Sequence, residues 1–183
     1  MSDEERDRLR IQQAALAKAL TRSTEEQASL QEASLAGLDA GEIARSAETL
    51  VRKRISQTRS VLRGTARILG EEFPTEFRVF AATHFFNGPD AIWQDAVEFT
   101  QWLARRRSQP AWLRDTLKWE RARCLWEYRT SCFSLFRLRY SIAAWLDKAG
   151  PIEPESMNHW VLVWRFGRLG GIRAYPRRRG SST

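Results

Sequence analysis

Glu120 and Glu127 stand seven residues apart in a run of helical pattern, and a pair of carboxylates is common equipment for acid/base catalysis. On a helix that spacing separates them by about 10 Å of rise, and no nucleophile or metal cluster accompanies them. Arg121, Arg123 and Arg129 interleave with the two acids, so ion pairs between neighbouring turns or to a sheet account for them better than an active site. The chain has only two histidines, His84 and His159. His84 follows Phe73, Phe77 and Phe80 at helical spacing, without an Asp/Glu/His array beside it, and reads as a packing or helix-end residue rather than a ligand. Cys124 and Cys132 have no further thiol to complete a Cys-rich metal site and read as reduced packing residues. The sequence holds no P-loop, no GxGxxG after a strand, no HExxH and no nucleophile elbow. No catalytic, cofactor-binding or metal residue is assigned, and the chain is not expected to catalyse a reaction on its own.

The remaining chemistry is cationic and aromatic: Arg137, Arg139, Arg165 and Arg173, with Trp160, Trp164 and Tyr175, form a candidate peptide-binding set. The elements that must position them are strands. Across residues 133–145 one parity collects Phe136, Leu138, Tyr140 and Ile142 while the other carries Arg137 and Arg139, the alternation of a half-buried strand. In HWVLVWRF, Trp160, Leu162, Trp164 and Phe166 share one parity and Val161, Val163 and Arg165 the other. GIRAY places Ile172 and Ala174 opposite Arg173 and Tyr175. The spacing predicts a hairpin between the last two strands, with Gly167, Gly170 and Gly171 supplying positive φ. Pro176 and Arg177, Arg178 and Arg179 end the last strand and discourage indiscriminate edge pairing.

The 183 residues are 43% hydrophobic and include eight Trp, enough for a helical lobe and a sheet lobe sharing one core, while the net charge of +8 calls for an acidic partner. The fold class expected is α+β, an N-terminal helical bundle followed by a small three-stranded antiparallel sheet. Residues 1–38 read as an N-terminal helical segment, with a thin stripe of Leu9, Leu16 and Leu20 and a capping box at Ser23 and Glu26. Residues 39–130 read as a helical lobe. Its first helix is expected to run unbroken to Leu69, with Arg52, Lys53, Arg54, Arg59 and Arg63 on or beside its polar side, until Gly70 closes it and Pro74 enters the next. Ile92, Trp93, Ala96, Phe99 and Leu103 stripe a further helix, and Arg105, Arg106 and Arg107 suit its C-terminal end. The helix over 110–130 aligns Trp112, Thr116, Trp119, Arg123 and Trp126. Residues 131–176 form the sheet lobe and 177–183 a basic disordered tail. A charged N-terminus and the lack of a long apolar run point to a cytoplasmic protein without a membrane span.

The helical lead-in, the phrase LGEEFPTEFRVFAATHFF, the Trp-bearing helices and the final sheet together resemble the MbnC-like accessory proteins over residues 40–176. These are partner subunits of multinuclear non-haem iron oxidases that modify ribosomally made peptides; HvfC-like partners share the helical part. The resemblance implies a cytoplasmic heterodimer. An MbnB-like subunit holds iron and converts Cys of an MbnA-like precursor to oxazolone and thioamide, as in methanobactin biosynthesis. This chain carries no cofactor and helps hold the leader peptide. A basic helical DNA- or RNA-binding protein is the rival expectation, and it predicts phosphate contacts and strong salt dependence.

Overall fold

The computed structural model describes residues 40–86, 88–106, 110–129, 131–147 and 154–176. The readings made above for residues 1–38, the tail at 177–183 and Arg107 lie outside them. Among the described residues five helices come first: α1 (Ala40–Val61), α2 (Arg63–Leu69), α3 (Glu72–Ala81), α4 (Ala91–Arg105) and α5 (Ala111–Tyr128). Then follow β1 (Ser131–Tyr140), the short α6 (Ile142–Asp147), β2 (Ser156–Phe166) and β3 (Leu169–Pro176). Helices followed by one antiparallel sheet make the chain α+β, as the sequence predicts. None of the helices among the described residues is long and apolar enough to cross a membrane.

The chain divides into two compact units, Met1–Ser56 with Pro74–Phe85, and Gln57–Phe73 with Phe86–Thr183. In the first, Phe77 and Phe80 are fully buried. His84 stacks on Phe80 at 4.4 Å between ring centroids, and its Nδ1 lies 3.0 Å from the Phe80 carbonyl, the helix-end role read for it. Arg78 grips the Glu48 carboxylate with two hydrogen bonds of 2.7 and 2.8 Å, and Arg52, one turn along from Glu48, adds a third at 2.7 Å. These bonds, Arg78 first, lower the Glu48 carboxyl to about 2.

The second unit is built on α5. The long helix expected to reach Leu69 is broken at Leu62 (φ −96°, ψ 59°), where α1 ends and α2 begins. Two side chains one turn apart on α5 hold the break. Arg123 donates to the carbonyl of Val61 at the end of α1. Glu120 accepts from the N–H groups of Gly64 (2.6 Å) and Thr65 (3.0 Å) and from the Thr65 hydroxyl (2.6 Å). A cation thus meets a helix C-terminus and an acid a helix N-terminus, as the helix dipoles favour. Burial pushes the Glu120 carboxyl up from its ordinary range, against the pull of those three donors and Arg123. Gly64 is where α2 comes closest: a Cβ there would lie 2.7 Å from Thr116 Cγ2 and 2.9 Å from Leu146 Cδ2. Glu120 therefore serves a helix end, not the ion pairs with neighbouring turns expected from its spacing.

The sheet order is β1-β2-β3, both pairs antiparallel. Its inner layer brings Leu138, Val161 and Val163 against Ala122 of α5 and Ile142 of α6, with Trp119, Trp126, Phe136 and Ile172 packed around them. The first strand is shorter than expected. After a register shift between Leu138 and Tyr140 the chain turns into α6, which buries both Ile142 and Trp145. Residues three apart share a helical face but fall on opposite faces of a strand, so burying both requires the helix. At the hairpin, Phe166 pairs with Leu169 across a Gly167-Arg168 loop in which Gly167 has φ 60°. Gly170 and Gly171 lie within β3 and do not have positive φ, contrary to expectation.

Candidate partner and peptide interface

Because side chains alternate along a strand, the register fixes what the outward layer carries. Arg137, Trp160 and Tyr175 stand in one row across the three strands, and Leu135, Leu162 and Arg173 in the next. Phe133, Trp164 and Gly171 form a third row, and Ser131, Phe166 and Leu169 the last. The layer is open to solvent: Phe133 is 66% exposed, Leu169 78% and Trp160 47%, and Leu135, Phe166 and Tyr175 are exposed as well. Gly171 leaves room for Trp164, whose indole carbons would lie 3.0 Å from a Cβ at that position. None of the three strands contains Asp or Glu.

Of the seven residues chosen from the sequence, Arg137, Trp160, Trp164, Arg173 and Tyr175 come together on this outward layer. Arg137 donates to Asn158 Oδ1 at 3.0 Å and pairs across the strands with Trp160. Arg165 is on the opposite face of β2. Its guanidinium lies over the Trp126 ring at 5.4 Å and donates to the carbonyls of Trp126 and Glu127, closing the C-terminal end of α5. Arg139 sits at the irregularity of β1, where its N–H donates to the buried Asp115 carboxylate of α5. The four arginines therefore do not form one basic face; two of them rim an apolar one.

Phe133, Leu135, Phe166 and Leu169 are the members of the surface that the sequence reading did not select. The signal was present, since Phe133 and Leu135 share the parity of Arg137. It went unused because both parities of β1 carry apolar residues and alternation alone does not say which is outward.

Beside the outward layer, α4, α5 and β1 enclose a groove of about 770 Å³, floored by Leu117 and Ala122 and walled by residues 133–136 of β1. Cys124 lies buried in α5, its thiol pushed up to about 12 by burial, and Cys132 is raised in the same sense. Both thiols are free. Buried His159 places its Nδ1 2.8 Å from the Met157 carbonyl. Among the described residues no three His, Cys, Asp or Glu side chains stand together as metal ligands.

The family model of the SCO6045-like C-terminal domain matches residues 10–105, just over half of the chain, and ends before the sheet begins. No curated protein and no solved structure matches.

Proposed function

The chain belongs to the SCO6045-like C-terminal domain family, and we propose that it acts as the non-catalytic subunit of a heterodimeric iron-dependent oxidase, in the manner of MbnC-like proteins. The observation that carries this reading is the outward layer of the sheet. Soluble monomers rarely leave a contiguous aromatic and aliphatic face open to water, and such faces mark interaction sites. Phe133, Trp160, Phe166 and Tyr175 have the composition of interface anchors, with Arg137 and Arg173 at their side. Two copies meeting through this face would bring arginines together with no acid from any strand to offset them. The complementary occupant is a different protein with an apolar patch and an acidic rim, here the MbnB-like oxidase.

In this reading the partner holds the iron and supplies the oxidation of a precursor Cys to oxazolone and thioamide. This chain supplies position. Both β1 and β3 are edge strands, and an extended leader peptide can add to such an edge through its backbone whatever its side chains.

The test is reconstitution with the iron oxidase of the same genome and its Cys-bearing precursor, followed by the mass of the precursor. Modification is expected only when both proteins are present, and leader affinity is expected to be higher for the pair than for the oxidase alone. Equal modification by the oxidase without this chain would remove the proposal.

A further inference from the structure

On α4, Gln101 and Arg105 stand one helical turn apart, and both line the groove between α4, α5 and β1. With the Gln101 amide oxygen turned toward α5, Arg121 donates to it through Nε at 3.1 Å and through a terminal nitrogen. The contact ties the Arg121 guanidinium to α4 without cancelling its charge, because the acceptor is neutral. Arg105 is exposed and brings a second guanidinium one turn further along the same helix. Lys118 also lines the groove but reaches Asp115 at 3.3 Å, so its charge is already answered. No Asp or Glu is among the described residues that line the groove.

Around the two guanidiniums the groove is apolar. On α5, Arg121 stands between Leu117 and Leu125, each four residues away and so on the same stripe. Leu117 and Ala122 are buried in the floor, and the partly buried Phe136 lines the groove from β1. A volume of about 770 Å³ falls within the range of sites for small organic molecules. A nucleic acid calls for cations strung along its backbone, whereas two guanidiniums one turn apart beside an apolar floor suit a single anionic head with an apolar body.

We propose that this groove is a binding site for a small amphipathic organic anion, a carboxylate with an aliphatic or aromatic body. Its head is held by Arg105 and Arg121, and its body covers Leu117, Ala122 and Phe136. The carboxylate accepts charge-assisted hydrogen bonds from guanidinium N–H groups that the Gln101 contact does not use. Covering the floor takes apolar surface of both ligand and protein out of water and supplies the rest of the affinity. The two arginines reject the cationic counterpart of the same body by like-charge repulsion. All of these residues belong to the unit that contains α5, and the site does not depend on the subunit reading above.

The experiment titrates the full chain by isothermal calorimetry with octanoate, below the concentration at which it forms micelles. Octan-1-ol carries the same body without charge, octylammonium carries it with the opposite charge, and acetate is the head alone. Octanoate is expected to bind at one site per chain, octanol about ten-fold more weakly, and octylammonium and acetate not measurably. Arg105→Gln with Arg121→Gln should weaken octanoate about ten-fold and leave octanol unchanged, a split that a general loss of folding would not give. Ala104→Trp, which fills the groove from an exposed position on α4 without changing charge, should abolish binding of both at unchanged melting temperature. Octanoate binding that survives Ala104→Trp, or that is lost instead with Trp160→Glu on the outward layer, would overturn the groove as the site. Equal weakening of octanoate and octanol by the double arginine variant would overturn the role of the two cations. Absence of octanoate binding would overturn the proposal, and binding of an oligo-aspartate peptide in its place, sensitive to the same two arginines, would assign the groove to an acidic macromolecule.

Discussion

Trp164 lies over Gly171 on the outward layer of the sheet, and the pair shows how the hairpin supports an aromatic surface without a second layer above it. The indole fills the place a side chain at 171 would take, within 3.0 Å of the missing Cβ. Gly170 answers a different demand: a Cβ there would lie 2.5 Å from the Trp164 carbonyl oxygen, which belongs to the backbone and cannot swing aside.

The two glycines should therefore separate in a urea melt. Gly171→Ala asks an aromatic ring to give by a few tenths of an ångström and should change stability by less than about 1 kcal/mol, since alanine also restricts the unfolded chain. Gly170→Ala forces a strand backbone to move and should cost about 2 kcal/mol or more. Equal effects would mean that the close approach at 170 is relieved elsewhere.

Glu120→Ala should be among the most damaging single changes in the chain. It leaves the N–H groups of Gly64 and Thr65 and the Thr65 hydroxyl without their acceptor, and Arg123 loses the acid beside it. Stranding buried donors and a charge in this way costs about 3 to 5 kcal/mol. Thermal unfolding checks it, and a loss below about 1 kcal/mol would show that the break at Leu62 is held by other contacts.

The tie between Glu48 and Arg78 should appear as an acid-dependent step. A carboxyl held at about 2 in the fold but near 4.5 when unfolded contributes stability above the unfolded value and loses it as pH falls toward 2. The melting temperature of Glu48→Gln should lie below that of the parent at neutral pH, and the difference should close on acidification through that window. Both groups are solvent-exposed, so the difference should be small and salt-sensitive.

Much of the sheet was legible in advance because alternation and a glycine turn are local signals, and β2, β3 and their hairpin follow them. Two features escaped for physical reasons. The alternation of β1 runs on through Tyr140 and Ile142, and only the burial of Trp145 together with Ile142, three residues apart, marks the helix that follows. The role of Glu120 depends on residues more than fifty positions away, which no local pattern contains, and Arg165 depends on main-chain carbonyls of α5 that lie 38 and 39 positions away. At the candidate surface the arginines and tryptophans were visible as types, but which parity faces water depended on Val161 and Val163 filling the core more closely than Trp160 and Trp164.

Thiol chemistry gives an independent check on the packing of α5. Cys124, buried and pushed up to about 12, should react with a disulfide reagent only as fast as the protein opens, while the partly exposed Cys132 should react first. Simultaneous reaction of both in the folded protein would contradict the burial of Cys124.

The most direct measurement is sedimentation velocity of this chain mixed with the iron oxidase of the same genome, run beside Phe133→Glu and Trp160→Glu. Both side chains stand in the outward layer and are exposed in the free chain, so neither substitution should lower its melting temperature. A heterodimer with the parent chain that is lost with either variant is the predicted result. A parent chain that sediments alone, or a complex that survives both charges, would contradict the claim that this face of the sheet is where the subunit meets its enzyme.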